Sequence, residues 1–176
     1  FLPNERAPEE GEVFRNADLA QAYAMIAREG ADALYKGPIA DAILRTSRAQ
    51  QGTMSAEDLA SFSAEWVEPI STDYRGWRVF ELPPNGQGIA ALEMLNIMEA
   101  LDGSGTGPLD AAELHKRIES MKLAYADAYR YNADPRVVRV PVNELLSKDH
   151  AKARAARVNP QKANGEVPAA KISRSD

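Results

Sequence analysis

The two histidines and their acidic neighbours are the residues of this chain whose type and spacing could support chemistry. His115 and Glu119 lie four positions apart in a helical segment, a spacing that suits two metal ligands. A metal site requires three or four ligands, however, and the zinc-binding pattern H-E-x-x-H is absent. Neither His115 nor His150 accompanies a G-x-S-x-G sequence, so a serine triad is not indicated. We interpret both histidines as structural and predict no metal site.

Carboxylate pairs and glycine-rich loops add little to the case for catalysis. Glu113, Glu119 and Asp127 are candidates for acid–base work, but a chain with 26 acidic residues contains such pairs by chance. The glycines of residues 103–107 lack the preceding strand and the spacing of a dinucleotide-binding loop. The absence of cysteine excludes thiolate metal sites and cysteine nucleophiles. We therefore predict no catalytic residue and no cofactor in this chain.

One short loop is locally unusual. It consists of Pro83, Pro84, Asn85, Gly86, Gln87 and Gly88. The prolines restrict φ, the glycines permit close approach of the backbone, and a strongly apolar helical segment follows at once. Backbone N–H groups at the start of that helix could bind an anion, which would make the loop face a substrate or another subunit. The alternative is a rigid corner between a strand and a helix.

Charge and hydropathy exclude two classes of partner. The net charge is −5 and the sequence pI about 5.2, so a phosphate-binding face is not indicated and we predict no nucleic-acid partner. Basic residues are scattered except at 148–157, which we interpret as the solvated face of a helix near its C-terminal end. No apolar run approaches the roughly 20 residues of a membrane span, so none is predicted.

The order of local signals predicts a mostly helical α+β chain with a small β-hairpin. Asn16 and Gly30 bound a first helix, Pro38 begins a second, and Ser55 with Asp58 forms a capping box. We predict two strands, at 67–72 and 77–82, joined by a turn at 73–76. Further helices are predicted at 89–101, after Asp110 and after Ser147, and an extended stretch is predicted at 137–142. Residues 1–158 would form one helical segment and residues 159–176 a flexible tail.

Segments spread along most of the chain resemble a known family. They are FRNADLA (14–20), YKGPIADAI (35–43), EDLASF (57–62), PISTDYRG (69–76), PPNGQG (83–88), LNIME (95–99), KLAYAD (122–127) and VPVNELLSK (140–148). In this order they resemble the large subunit of the gamma-glutamyltransferase (gamma-glutamyltranspeptidase) family. The PPNGQG version is more similar to the acylase-like bacterial branch, which leaves the substrate open.

The resemblance implies an N-terminal nucleophile hydrolase with an αββα sandwich, made as a precursor that cuts itself into a large and a small subunit. It implies cleavage of gamma-glutamyl amides such as glutathione, with the acyl group passed to water or an amino acceptor. The nucleophile would be the N-terminal threonine of the small subunit, which lies outside this chain. This chain would be the C-terminal part of the large subunit, with Asp176 beside the processing site and the small subunit as partner.

The resemblance leaves the compartment open. A periplasmic or secreted location fits the glutathione-type branch, and a cytoplasmic location is compatible with the acylase-like branch. A rival hypothesis is a free-standing helical interaction domain, favoured by the lack of catalytic constellations. The absence of an internal repeat counts against it, and so does the apolar segment 89–101, which requires cover on several faces.

Overall fold

The computed structural model describes residues 5–101 and 107–172 of the 176-residue chain. These residues form eight helices and a two-stranded antiparallel sheet, so the predicted α+β class with a small hairpin is confirmed. The elements are α1 (Ala17–Glu29), α2 (Ala31–Tyr35), α3 (Pro38–Ala49), α4 (Ala56–Ala60), β1 (Ile70–Tyr74), β2 (Trp77–Glu81), α5 (Gly88–Ala100), α6 (Ala111–Tyr131), α7 (Val142–Leu145) and α8 (Lys148–Ala155). None of the described helices is both long enough and apolar enough to cross a bilayer.

The chain divides into two compact units, residues 1–65 and residues 66–176. Unit 1 contains α1 to α4, and its helix boundaries follow the capping signals. The Asn16 side chain accepts a hydrogen bond from the Leu19 amide at 2.9 Å, and Gly30 ends α1 with φ at 70°. The Ser55–Asp58 capping box is present in both directions. Helix α2 was not predicted, because five residues are too few to show a helical period.

The hairpin of unit 2 is tighter than the sequence suggested. Tyr74 pairs with Trp77, which leaves only Arg75 and Gly76 in the turn, both at positive φ. The predicted four-residue turn was therefore wrong: Asp73 and Tyr74 belong to β1. A two-residue turn with two positive φ angles matches the right-handed twist of paired strands. The strands can therefore stay paired up to Tyr74 and Trp77.

Helices α5, α6 and α8 enclose the core of unit 2. Ile97 of α5, Leu123 and Ala124 of α6, and Ala151 and Ala155 of α8 are packed together and buried. Helix α5 is buried on several sides, as its composition predicted. It also holds the hairpin, because the Thr72 hydroxyl donates to Asn96 Oδ1 at 2.6 Å.

Helix α6 leaves an apolar stripe exposed and buries a face that contains polar residues. The apolar stripe on this helix, which includes Leu114, Ile118, Met121 and Tyr129, is exposed in the described chain. The residues that α6 buries most deeply include two carboxylates, Glu119 and Asp127, together with Ser120, Leu123 and Ala124. Apolar periodicity therefore does not identify the buried face of α6, because charged partners elsewhere in the fold make burial of the carboxylates favourable.

The structure of the residues after α6 agrees only in part with the sequence-based predictions. Residues 135–137 form a turn and residues 139–141 have no regular structure, so the predicted extended stretch at 137–142 is not a strand, and α7 begins at Val142. The Ser147 hydroxyl caps α8 by accepting from the His150 amide at 3.1 Å, as predicted. Residues 159–172 contain no helix or strand, but they are hydrogen-bonded to α6 and α8 at several points.

Candidate functional site

The loop at residues 83–88 connects β2 to α5 and is held by two side chains of α6. Asn132, which follows the last turn of α6, donates through Nδ2 to the carbonyl oxygens of Asn85 and Gly86, both at 2.9 Å. The Tyr125 hydroxyl donates to Gln87 Oε1 at 2.9 Å. These contacts make the loop a rigid corner. They leave Asn85, Gly86 and Gln87 exposed, and the orientation of the loop toward a substrate or another subunit stays a prediction.

Gly88 is required by the close approach of α5 to β2. A Cβ atom at this position would lie 2.6 Å from the Cβ of Glu81 and 2.9 Å from the carbonyl oxygen of Leu82. Both distances are shorter than van der Waals contact, and the second involves the backbone. The glycine therefore allows the first turn of α5 to pack directly on the end of the hairpin.

A buried ionic cluster lies between α5, α6 and α8. It consists of Glu93 from α5, Asp127 from α6, and His150 and Arg154 from α8. Glu93, Asp127 and Arg154 are almost completely buried, and the His150 side chain is 11% exposed. His150 Nε2 lies 3.1 Å from both Glu93 Oε1 and Asp127 Oδ2. The imidazole nitrogen thus bridges the two carboxyl groups.

Arg154 adds a second positive charge to the buried ionic cluster. Its Nε lies 2.9 Å from Asp127 Oδ2, at ion-pair distance but without hydrogen-bond alignment. Its two Nη atoms donate to the carbonyl oxygens of Leu123 and Pro168, at 2.9 and 3.1 Å. These contacts fix the guanidinium across the end of the cluster and connect α8 to α6 and to the C-terminal segment.

The buried ionic cluster has the composition of a metal site but not its electrostatics. Three possible ligand atoms, one each from Glu93, Asp127 and His150, lie within 4.8 Å of one another. A divalent cation there would face the guanidinium of Arg154, and Asp127 already accepts from the Ala170 amide at 2.5 Å. The arrangement favours a proton-bridged ionic network over a cation, since positive charge is already supplied by two side chains.

Burial and mutual contact shift the pKa values of the buried ionic cluster. Burial raises the pKa of Glu93 to about 8, because its charged form is poorly solvated. Burial alone would lower the pKa of His150, but hydrogen bonds and charges from Asp127 and Glu93 outweigh it and raise that pKa to about 9. Burial also opposes ionisation of Asp127, yet hydrogen bonds from His150 and Glu93 hold its pKa below the ordinary 3.8. At neutral pH, His150 is therefore an imidazolium beside the ionised Asp127.

We expect the free energy of unfolding to fall as pH rises from 4.5 to 9. The folded chain retains the Glu93 proton between the ordinary pKa of 4.5 and about 8, and the His150 proton between 6.5 and about 9. Each proton retained only by the folded state steepens this fall by at most about 1.4 kcal/mol per pH unit. The steepest fall is expected between pH 6.5 and 8, where both groups contribute.

Urea unfolding of the full-length protein in one-unit steps from about pH 6 to about pH 9 measures this dependence. The variant Glu93→Gln serves as the matched control, because it keeps the side-chain volume and removes one titrating group. Its stability curve should be flatter than that of the wild type below pH 8. Identical curves for the two proteins would show that Glu93 is not protonated in the folded state.

The predicted solvated face at residues 148–157 was wrong at Arg154, which is buried, whereas Lys148 is exposed but also makes specific hydrogen bonds. Lys148 Nζ donates at 2.6 Å to three acceptors: the backbone oxygen of Asp73, Asn96 Oδ1 and Glu99 Oε2. Arg154 belongs to the buried ionic cluster. Spacing along the chain could not show this, because the acceptors lie on β1, α5 and α6, far away in sequence.

The predicted acid–base candidates do not form one site. Glu113 pairs with Lys116 at 3.2 Å, whereas Glu119 accepts from Lys122 at 2.8 Å and from the Asn164 amide at 3.3 Å. His115 Nε2 lies 2.8 Å from the Asn159 carbonyl oxygen. Only Asp127 lies in the buried ionic cluster.

Sequence reasoning missed Glu93 altogether and assigned His150 to structure. The one available signal for Glu93 was a carboxylate in the middle of a mostly apolar helix. The glycines at 103 and 105 and the predicted processing-site neighbour Asp176 lie outside the described residues.

Residues 159–172, which we call the C-terminal strap, run along α6. Asn164, Ala170 and Ile172 contact this helix through their backbone atoms, and Pro168 contacts Arg154. Lys122 also donates to the Asn164 carbonyl oxygen. The strap thus lacks regular structure but has fixed hydrogen-bond partners.

A cleft of about 480 Å³ lies between α6 and the C-terminal strap. It is lined by Met121, Lys122, Tyr125, Ala126, Tyr129, Gly165 and Val167. Its single cationic side chain, Lys122, is already engaged by Glu119. This cleft therefore offers apolar surface but no evident group for acid–base or nucleophilic chemistry.

The fold and the site define a set of helices with a β-hairpin and a buried ionic cluster. The family model described as "Gamma-glutamyltranspeptidase" matches residues 1–175. The chain belongs to the gamma-glutamyltranspeptidase family. The predicted resemblance is confirmed, and the rival hypothesis of a free-standing interaction domain is not favoured.

Relatives and solved structures support the same assignment. The chain is 39% identical over 156 residues to the "Glutathione hydrolase proenzyme" of Escherichia coli (strain K12), covering 87% of this chain and 27% of that protein. It is 37% identical over 166 residues to the "Acylase ACY 1 proenzyme" of Pseudomonas sp. (strain SE83), and this match covers 93% of this chain and 29% of that protein.

Among solved structures, cephalosporin acylase from Bacillus halodurans is similar with a TM-score of 0.78 at 40% identity, covering 96% of this chain and 31% of that one. The Helicobacter pylori gamma-glutamyltranspeptidase is similar with a TM-score of 0.76 at 31% identity, and the match covers 96% of this chain and 49% of that one. The chain thus spans less than a third of the length of the two curated relatives above.

Proposed function

We propose that this chain forms the C-terminal part of the large subunit of an enzyme that cleaves gamma-glutamyl amides. The enzyme would transfer the acyl group to water or to an amino acceptor, using an N-terminal threonine supplied by the small subunit. The observation that carries this proposal is the family match over residues 1–175, in a chain covering only 27% of its glutathione hydrolase relative. Most of the working enzyme would then lie in other residues.

Exposed apolar surface supports a partner for unit 2. Trp77 and Phe80 of β2 are 77% and 57% exposed, and the stripe of α6 that includes Ile118 and Tyr129 is exposed as well. Unit 2 has only two strands among its described residues, so each strand retains an unpaired edge. Such edges and patches are typically covered in a native protein. We propose that the hairpin joins a larger sheet of an αββα sandwich and that the small subunit covers part of this surface.

The loop at residues 83–88 is the part of this chain that we propose to face the substrate or the small subunit. Asn132 and Tyr125 hold it rigidly, while Asn85, Gly86 and Gln87 stay exposed. A rigid, exposed loop is suited to placing polar groups without a large entropic cost on binding. In the same proposal Asp176 lies beside the self-processing site.

A second substrate class is favoured by one comparison. The similar Bacillus halodurans structure is named a cephalosporin acylase, and its identity to this chain is 40%. The amide that is cleaved could therefore carry a cephalosporin rather than an amino acid or peptide. The two candidates share amide cleavage by an N-terminal nucleophile and differ in the group that leaves.

Expression of the full-length gene tests the proposal. We expect two fragments whose masses sum to that of the precursor plus one water, with threonine at the new N-terminus. The matured complex should hydrolyse a gamma-glutamyl anilide, and this chain in isolation should not. A cephalosporin amide, assayed in parallel, separates the two substrate classes. A stable, uncut precursor without turnover of either amide would contradict the proposal.

A further inference from the structure

We infer that Tyr131 and the buried ionic cluster position the C-terminal strap for self-cleavage of the precursor, with Tyr131 as the outermost positioning residue. This inference rests on the proposed function, because it requires a processing site shortly after the strap. It assigns to Tyr131, Asp127 and Arg154 a role in maturation that is separate from turnover by the mature enzyme.

The contacts at the far end of the strap carry the inference. Tyr131 donates through its hydroxyl to the Ala170 carbonyl oxygen at 2.7 Å and accepts from the Ile172 amide at 3.1 Å. Asp127 Oδ1 accepts from the Ala170 amide at 2.5 Å. Both backbone polar groups of Ala170 are therefore engaged by side chains of α6.

One contact extends this attachment toward the start of the strap. Arg154 donates to the Pro168 carbonyl oxygen at 3.1 Å. Alternate residues 168, 170 and 172 are thus bonded through their backbones, as in a strand, although their partners are side chains from α6 and α8. Irregular backbone near a surface is usually satisfied by water or by other backbone groups, so side chains that bind three alternate residues indicate a defined path for the chain.

Chain geometry connects this path to the proposed processing site. Asp176 lies four positions after Ile172 in the sequence, and four residues span at most about 14 Å when fully extended. A fixed position at Ile172 therefore restricts where a bond just after Asp176 can lie. Self-cleavage is intramolecular, and its rate depends on how often the scissile carbonyl meets the attacking group in the right geometry.

The cleavage itself requires no group beyond the precursor and solvent. One water is consumed, the carbon–nitrogen bond before the threonine breaks, and the large subunit gains a carboxylate while the threonine gains a free α-amino group. The side chains that hold the strap take no part in these bond changes, and they act by placing the backbone that carries the reacting carbonyl.

Tyr131 offers a clean test because, among the described residues, its hydroxyl is hydrogen-bonded to strap atoms only. The variant Tyr131→Phe removes both hydrogen bonds and keeps the ring and all four side chains of the buried ionic cluster. Tyr23→Phe is the matched control, since Tyr23 lies on α1, is 63% exposed, and makes no hydrogen bond among the described residues. A second variant, Ala170→Pro, removes the amide that donates to Asp127.

The experiment follows the full-length precursor during cell-free synthesis, with fragment formation measured by gel over time. We expect Tyr131→Phe and Ala170→Pro each to slow self-cleavage by about tenfold, the size expected for loss of one or two hydrogen bonds. Tyr23→Phe should cleave at the wild-type rate. The unfolding midpoint of the precursor and the kcat/KM of the matured enzyme should be unchanged by Tyr131→Phe.

The possible outcomes separate the two proposals. A wild-type precursor that never cleaves overturns the proposed function, whatever the variants do. A wild-type precursor that cleaves at the same rate as both variants overturns this inference and leaves the proposed function standing. Slower cleavage accompanied by an equal loss of stability or of mature turnover would also overturn it, because the role of Tyr131 would then be structural.

Discussion

The variant Asp127→Ala is expected to lose about 3–5 kcal/mol of the free energy of unfolding, the cost of removing one partner from a buried ion pair. Asp127 is fully buried, lies 3.1 Å from His150 Nε2 and 2.9 Å from Arg154 Nε, and accepts the Ala170 amide. Its removal leaves a buried guanidinium without a charged partner at ion-pair distance, together with an amide that has lost its acceptor. Urea unfolding of the full-length protein at pH 7 measures the loss.

Asp149 provides the matched control for this substitution. It is also an aspartate and belongs to α8, but its side chain is 98% exposed and lies 3.8 Å from Lys152. Exposed pairs of this kind contribute little, so Asp149→Ala should stay within about 0.5 kcal/mol of the wild type. Similar losses for the two variants would mean that the buried ionic cluster does not have the electrostatic role described above.

The second large effect is expected at Gly88. The variant Gly88→Ala should lose about 1–3 kcal/mol, the usual cost of inserting a methyl group into packed structure. The new Cβ would meet the Cβ of Glu81 at 2.6 Å and the Leu82 carbonyl oxygen at 2.9 Å, so α5 or the end of β2 must move. Thermal unfolding should show the loss as a lower midpoint.

Gly86, two residues earlier in the same loop, is the control for this prediction. A Cβ there would have the Pro83 carbonyl oxygen as its nearest neighbour, at 3.9 Å, which is ordinary contact. The variant Gly86→Ala should therefore unfold within about 0.5 kcal/mol of the wild type. If both variants were equally stable, the packing of α5 against the hairpin would have to be looser than described.

Local signals in the sequence predicted much of the fold. Asn16, Pro38, Ser55 and Ser147 mark helix starts that the structure confirms, because capping depends on side chains within a few residues. The turn between the strands was placed two residues too early, since its type depends on φ angles that residue identity only suggests.

The buried ionic cluster could not be predicted in the same way. Glu93, Asp127 and His150 are separated by 34 and 23 positions in the chain, and no spacing rule links residues on three different helices. Each residue taken alone has a common structural explanation. Their relation exists only after α5, α6 and α8 have packed, and only then do burial and mutual contact shift their pKa values.

The amino-acid sequence by itself determined four of the helix starts, the hairpin, the family and the absence of cysteine chemistry, since all of these depend on residue identity or short-range spacing. Tertiary structure decided which face of α6 is buried, which charges are paired and what holds the strap. The physical reason is that desolvation and charge pairing depend on distances in space, and packing brings together residues that the chain keeps far apart.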